Sequence, residues 1–214
     1  MMAGNKIKRP VYAIILAAGE SRRCAPRNKL LLPFGGKTIL ETSVRNVLAS
    51  RVVGVVVILG HQADVAAGLL RGLSCRMVVN PDYPSGMGSS VIAGIDYWHS
   101  LDDLASDAGF LFALGDQPCI PPAVIDEVIR TYREKGAQIV VPVCNGRRGH
   151  PSIFHRQYAD EIREVAGRWG AREVLRRHPD DIVSVEVASE AVLLDIDTPD
   201  DYTGMVNQFP EATG

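Results

Sequence analysis

Apolar residues follow two rhythms along this chain. At 11–18, 52–59, 76–79, 109–114 and 138–142 they run almost unbroken, rich in Val, Ile, Leu and Phe. Runs of that length suit strands of a sheet covered on both faces. Between them, at 39–49, 63–70, 89–98 and 122–135, apolar positions recur at helical spacing. Val124, Ile125, Val128 and Ile129 form one such stripe, and Pro121 and Pro122 stand where a helix start needs no N–H. Strand, helix, strand repetition predicts parallel strands joined by right-handed crossovers. The fold class is therefore α/β, a Rossmann-like, doubly wound, mostly parallel sheet with ligands beyond the carboxyl ends of its strands.

After Pro142 the alternation loosens. Residues 144–151 read as a Gly- and Arg-rich loop, 158–165 and 171–177 as helices, and 182–187 and 192–196 as strands, which together predict a small C-terminal lobe beside the sheet. The expected organisation is a single domain over 8–202, with flexible tails at 1–7 and 203–214.

The length of 214 residues, 46% of them hydrophobic, is enough for one substantial core. A near-balance of 23 Lys and Arg against 25 Asp and Glu, net charge -2, excludes the broad positive footprint of a nucleic-acid binder. Any anion must be bound locally. The four cysteines, Cys24, Cys75, Cys119 and Cys144, contain no C-x-x-C pair. That argues against a zinc site, a redox motif and a disulfide framework, and fits a reducing, cytoplasmic setting. No apolar run approaches the roughly 18 residues of a membrane span. Lys6, Lys8 and Arg9 before the apolar 11–18 imitate a signal peptide, but the stretch is short and opened by Pro10.

The first strand runs into Leu16-Ala17-Ala18-Gly19-Glu20-Ser21-Arg22-Arg23, and Asn28-Lys29 follows after a short turn. Small residues at a strand end let backbone N–H groups approach an anion, while Arg22, Arg23 and Lys29 bring mobile positive charge beside it. The spacing is neither G-x-G-x-x-G nor G-x-x-x-x-G-K-[ST], which weighs against a dinucleotide dehydrogenase and a P-loop hydrolase.

Further segments accompany this loop in order: Asn80-Pro81 with Gly86-Met87-Gly88-Ser89-Ser90, then Gly115-Asp116-Gln117-Pro118, Gly149-His150-Pro151, Gly170-Ala171-Arg172 and Asp195-Ile196-Asp197-Thr198-Pro199-Asp200-Asp201-Tyr202. Loop and segments together resemble the nucleotidyltransferases that handle molybdopterin, the MobA-like NTP transferase family, over about nine tenths of the chain. The resemblance implies a fold like that of the nucleotide-diphospho-sugar transferases. It also implies transfer of a nucleoside monophosphate from a triphosphate to a phosphorylated acceptor, release of pyrophosphate, and a need for Mg²⁺. In the family, Leu-Ala-Gly-Gly in the first loop goes with guanine and Ala-Ala-Gly with cytosine. Ala17-Ala18-Gly19 therefore implies CTP as donor, and the resemblance as a whole implies molybdenum-bound molybdopterin as acceptor and a molybdoenzyme as a partner.

In such a reaction two polyanions meet, so the site must neutralise charge before it can orient anything. Arg23 and Lys29 are the candidates for the pyrophosphate and the α-phosphate. Asp116, at the carboxyl end of the strand 109–114, and Asp197, at the end of the last expected strand, suit Mg²⁺, which takes one or two carboxylates plus phosphate oxygens. The alternatives are a helix N-cap for Asp116 and a helix start at Asp197-Thr198-Pro199. Leu16, Ala17, Ala18, Gly19, Asn80, Gly86, Gly88, Ser89 and Ser90 are expected to face the nucleotide, with Ser89 also a candidate N-cap. His150, Pro151 and Arg148 are expected to face the acceptor, His150 alternatively bonding its own turn. Trp98 and Trp169 read as packing or as walls of a ring site.

One departure stands out. Cys24-Ala25 occupies the place where the family usually has Met-Gly, and a glycine held at positive φ there would leave Ala25 strained. Cys24 itself reads either as a small core residue or as a thiol activated by Arg23. Three other activities stay open: transfer to an isoprenoid precursor or sugar phosphate, NADPH-dependent reduction of a pigment, and non-enzymatic delivery of a cofactor.

Overall fold

The computed structural model describes residues 8–24 and 27–209. The expected tail at 1–7 and the strain at Ala25 lie outside the described residues, as does the side chain of Trp169. In chain order the elements are β1 (Val11–Ala17), β2 (Pro33–Phe34), β3 (Lys37–Thr38), α1 (Ile39–Leu48), β4 (Gly54–Leu59), α2 (Ala63–Leu69), β5 (Arg76–Val79), α3 (Met87–His99) and β6 (Gly109–Leu114). Then come α4 (Pro122–Glu134), β7 (Ile139–Cys144), β8 (Arg147–Arg148), β9 (Ser152–His155), α5 (Ala159–Trp169), α6 (Arg172–Arg177), β10 (Ile182–Glu186) and α7 (Pro199–Gln208).

The main sheet runs β10-β7-β9-β6-β1-β4-β5, with β8 paired to β7. β1 lies parallel to both β4 and β6, β4 parallel to β5, and β10 parallel to β7. Only β9 and β8 run the other way, β9 antiparallel to β6 and β7. The strand order reverses at β1, whose neighbours β4 and β6 lie on opposite sides, so a crevice opens beyond the carboxyl ends of β1 and β6.

Side chains alternate across the sheet as pleating demands. Ala13, Ile15 and Ala17 face a core completed by Ile39, Leu40 and Val44 of α1, Ala66 of α2, Ile125 and Ile129 of α4, and Met205 of α7. Ile14 points to the opposite core, with Val91 and Ile95 of α3, Ile162 and Val165 of α5, and Val174 of α6. Each such aliphatic side chain, fully buried, contributes about 1.5–3 kcal/mol before conformational entropy is charged against it. Trp98 is one of these core residues, its indole N–H donating to the Ala13 carbonyl at 3.3 Å, so it walls no ring site.

Four expectations for the chain's second half need correction. The last third does not stand beside the sheet: β9 and β10 are strands within it. The expected loop at 144–151 contains a hairpin, since Asn145 and Gly146 both hold positive φ (52° and 73°) and turn β7 into β8. The expected strand at 192–196 is a single 3-10 turn, Glu190–Leu193, followed by extended chain. Its backbone serves other loops: the Val192 carbonyl accepts from His150 N–H at 2.9 Å, and Ile196 N–H donates to the Asp116 carbonyl at 3.3 Å. Finally, 203–208 continue α7, which Thr198 and Asp201 start with a reciprocal capping box, while the rest of the expected tail, 210–214, lies outside the described residues.

Candidate active site

The crevice is a cleft of about 460 Å³, and its lining separates by chemistry. Leu16, Ala17, Ala18, Tyr83, Pro84 and Met87 give it apolar surface, and Arg22, Arg23, Lys29, Asp116, Asp195 and Asp197 its charged side chains.

Four of the charged side chains, Arg23, Lys29, Asp116 and Asp197, form one connected network. The Lys29 ammonium donates to Asp116 Oδ2 at 2.5 Å and to Asp197 Oδ1 at 2.9 Å. Arg23 reaches the second oxygen of Asp197 at 2.7 Å. Lys29 and Asp116 are almost withdrawn from solvent, 14% and 15% exposed, whereas Arg23 is 68% exposed and free to move. Burial alone would lower the Lys29 pKa, but Asp116 and Asp197 overcome it and hold the ammonium above its usual range. Burial would raise that of Asp197, and Lys29 and Arg23 bring it below the usual carboxylate value. Asp116 Oδ1 is buried and has no protein partner.

Local structure accounts for each position. Gly115 N–H donates to the Leu16 carbonyl at 2.9 Å, which ties the Asp116 turn to β1. Asp197 is presented by the capping box, whose Asp201 carboxylate accepts from Asp197 N–H at 3.1 Å and Thr198 N–H at 2.7 Å. Asp197 is thus both at a helix start and in the network. Lys29 is aimed by Asn28, a buried residue whose side-chain oxygen accepts from Leu30 N–H and from the Ser21 hydroxyl, each at 3.1 Å. The Ser21 hydroxyl accepts in turn from Lys29 N–H at 3.2 Å. Asn28 and Asp195 carry roles that the sequence reading did not assign. Asp195 is partly buried beside Asp197 and Asp116, and burial followed by their charges pushes its carboxyl up. Cys24 donates its S–H to the Asp197 carbonyl at 3.3 Å. Burial raises its thiol pKa more than Lys29 lowers it, so it is a positioning contact rather than an activated thiol.

Of the residues expected at the nucleotide, Leu16, Ala17, Ala18, Gly19, Gly86 and Ser90 line the cleft together with Arg23, Lys29 and Asp116. Asn80, Gly88 and Ser89 do not. Asn80 is buried and braces the start of α3, its amide donating to the Ser89 and Ser90 hydroxyls at 2.9 and 3.1 Å. Ser89 is no N-cap either: that position belongs to Gly86, at φ 115°, and lacks a side-chain bond. Gly88 packs against α5, where a Cβ would lie 2.0 Å from the Ala166 carbonyl oxygen.

Of the residues expected at the acceptor, His150 is half-buried, with Arg172 and Asp195 nearby. Burial, then Arg172, depresses its pKa against the opposing influence of the Phe112 backbone and Asp195, and its Nδ1 has no protein partner. Pro151 is buried against Gln117 and Ile125, so its expected contact with an acceptor is not available. Arg147 and Arg148 are exposed on the hairpin and off the cleft wall.

Among the described residues no three His, Cys, Asp or Glu side chains converge as a ready-made metal cage. The orphaned Asp116 Oδ1 beside Asp197 nevertheless fits a hard divalent ion that draws its other ligands from phosphate and water. None of the helices among the described residues is long and apolar enough to cross a membrane.

A switch-point cleft lined by both apolar and charged side chains suits a nucleotide, and together with the likeness to known proteins it defines an α/β enzyme of the nucleotidyltransferase class. Residues 13–182 match the MobA-like NTP transferase domain, and the chain belongs to that family. It is 30% identical to the nicotine blue oxidoreductase of Paenarthrobacter nicotinovorans, the alignment covering 88% of this chain and 92% of that one. It is likewise 30% identical to the molybdenum cofactor cytidylyltransferase of Escherichia coli, over 94% and 98% of the two chains. Among solved structures, Rv0371c of Mycobacterium tuberculosis in complex with manganese aligns with TM-score 0.76 and 26% identity, over 92% of this chain and 98% of that one. Nucleotidyltransferases of this family commonly use a divalent metal.

Proposed function

We propose that the chain transfers CMP from CTP to molybdopterin, using Mg²⁺ and releasing pyrophosphate. The observation that carries this reading is the network of Arg23, Lys29, Asp116 and Asp197 in a cleft that Leu16, Ala17, Ala18 and Met87 also line with apolar surface. An acceptor phosphate oxygen bonds to the α-phosphorus, and the bond to the β-phosphate bridging oxygen breaks. Lys29 and Arg23 neutralise the α-phosphate and the leaving pyrophosphate. Such positioned charge, worth about 10²–10³ in rate for each group removed, is the main catalytic device open to a phosphoryl-transfer site. Asp116 and Asp197 would hold the divalent ion, which when bound polarises the phosphate oxygens.

Base choice is assigned to the first loop. Ala18 is buried, its carbonyl accepts from His61 N–H at 3.1 Å, and its methyl narrows the cleft beside β1 in favour of a pyrimidine. The Escherichia coli relative supports cytosine and the pterin acceptor. His150, with an unpartnered ring nitrogen, and Arg148 are assigned to that acceptor, and the product would pass to a molybdoenzyme.

The deciding experiment offers the purified protein molybdopterin with CTP or GTP and Mg²⁺ and follows pyrophosphate release. In parallel, NADPH oxidation is followed with nicotine blue, the pigment that the oxidoreductase relative is named for. Pyrophosphate release with CTP is the expected result. Release with GTP alone would overturn the base assignment. NADPH oxidation without pyrophosphate would overturn nucleotidyl transfer.

A further inference from the structure

The two carboxylates assigned to a divalent ion already share a cation. Lys29 occupies the space between them, bonded to Asp116 Oδ2 and Asp197 Oδ1, while Arg23 takes the remaining oxygen of Asp197. Every Asp197 oxygen is therefore engaged by a positive group, and Asp116 keeps only Oδ1. A second positive centre entering there would meet the Lys29 charge in a setting where little water screens it. The same ammonium lines the cleft assigned to the triphosphate, and Lys29 has a four-carbon stem on which to swing.

We propose that Lys29 is a stand-in cation: it holds the metal-binding carboxylates together and yields them to a divalent ion only when a triphosphate draws its ammonium away, so that metal and nucleotide bind jointly rather than metal first. This rests on the assignment of Asp116 and Asp197 to a divalent ion made above. Arg23 is the mobile part of the exchange, exposed and bonded to a single oxygen. Lys29 is the slow part, sequestered and bonded to two carboxylates. Linkage then requires each ligand to tighten the other.

The test measures Mn²⁺ alone, from the loss of the free-ion electron paramagnetic resonance signal, on wild type, Lys29→Met and Lys29→Met/Asp197→Asn. Lys29→Met should bind Mn²⁺ about tenfold more tightly than wild type or better, and the double variant should lose that gain. Thermal melting checks that each variant folds, with Lys29→Gln in reserve if the methionine variant does not. An arm without metal uses ¹⁵N-lysine protein in EDTA: adding CTP should shift the Lys29 Nζ resonance. Wild type that binds Mn²⁺ alone as tightly as Lys29→Met, or an Nζ resonance unmoved by bound CTP, would overturn the stand-in role and leave the carboxylate assignment intact. Mn²⁺ binding that is weak in every variant and unaffected by Asp197→Asn would overturn the carboxylate assignment itself, and the stand-in role with it.

Discussion

Gly88 lies in a segment that reads as nucleotide-facing, yet the fold gives it a packing duty, and one substitution separates the two roles. A Cβ at Gly88 would stand 2.0 Å from the Ala166 carbonyl oxygen, 2.4 Å from its carbon and 2.9 Å from Gly167 N, where ordinary contact begins at 3.4 Å. All three atoms are backbone of α5, so no side chain can rotate away. The start of α3 and the end of α5 must part by about 1.4 Å to restore ordinary contact. Overpacking of this kind costs about 1–3 kcal/mol where side chains can yield, and the upper end applies against main chain. At roughly 2–4 °C per kcal/mol for a chain of this size, Gly88→Ala should lower the melting temperature by about 6–12 °C. CTP affinity should fall as well, because Gly86, Met87 and Ser90 of the same segment line the cleft. The internal control is Gly68→Ala in exposed α2, where nothing lies within 4 Å. There the same change should stabilise by about 0.4–1 kcal/mol through the unfolded chain. Differential scanning calorimetry without nucleotide, followed by CTP titration, measures both. If Gly88→Ala melts with wild type and loses only CTP affinity, the glycine serves the ligand and the packing argument fails.

This double life of glycine shows where sequence reading reaches its limit. Two rhythms of apolar spacing were enough to find β1, β4, β5, β6 and α1 to α4, because each is a local pattern repeated long enough to be read. The switch-point cleft followed from their order. The antiparallel β9 was not found, although its signal was present: Asn145-Gly146 is a hairpin turn by composition, and reading 144–151 as loop concealed the return strand at Ser152–His155. Val192 and Ile196 misled in the other direction. Both are buried, but as plugs under a crossing chain whose carbonyls and N–H groups bond to loops, and apolar content alone cannot tell a strand from such a plug. At the site, charged residues at strand ends were legible as individuals: Arg23, Lys29, Asp116 and Asp197 do meet. Their mutual pairing was not, since residues as far apart in sequence as Arg23 and Asp197 share no local pattern. Asn28 and Asp195 escaped for the same reason, as their parts depend on what the fold brings beside them.

Four further outcomes test the site and the core. Asp116→Asn should lower turnover about 10²–10³-fold while shifting the melting temperature little, read by pyrophosphate release and calorimetry. Ala18→Gly should loosen the CTP preference towards GTP by no more than the roughly 1–3 kcal/mol a single methyl can supply, and a wild type already preferring GTP would remove the premise. His150→Ala should raise the acceptor KM or lower kcat with CTP affinity unchanged, since the ring is not on the cleft wall; calorimetric loss of CTP binding would move His150 to the nucleotide side. The last concerns pH. His99, His150 and His155 all have folded pKa values below 6.5, each through burial first and then a neighbouring arginine: Arg163 for His99, Arg172 for His150 and Arg9 for His155. Between the folded values and 6.5 the unfolded chain therefore binds more protons than the native one, so their contribution to stability is complete above about pH 6.5 and drains away as pH falls. Asp197 titrates below the usual carboxylate range and Lys29 above its own, so neither contributes to the slope between pH 7.5 and 5.5, where the histidines act. His99 is the one to remove, because its Nε2 is buried without a partner and its ring stands 5.8 Å from that of Phe110, so an apolar ring substitutes without orphaning a bond. Urea unfolding should show wild type losing stability from pH 7.5 to 5.5 and His99→Phe losing less; equal losses in the two proteins would mean that the half-buried His99 ring does not titrate through folding.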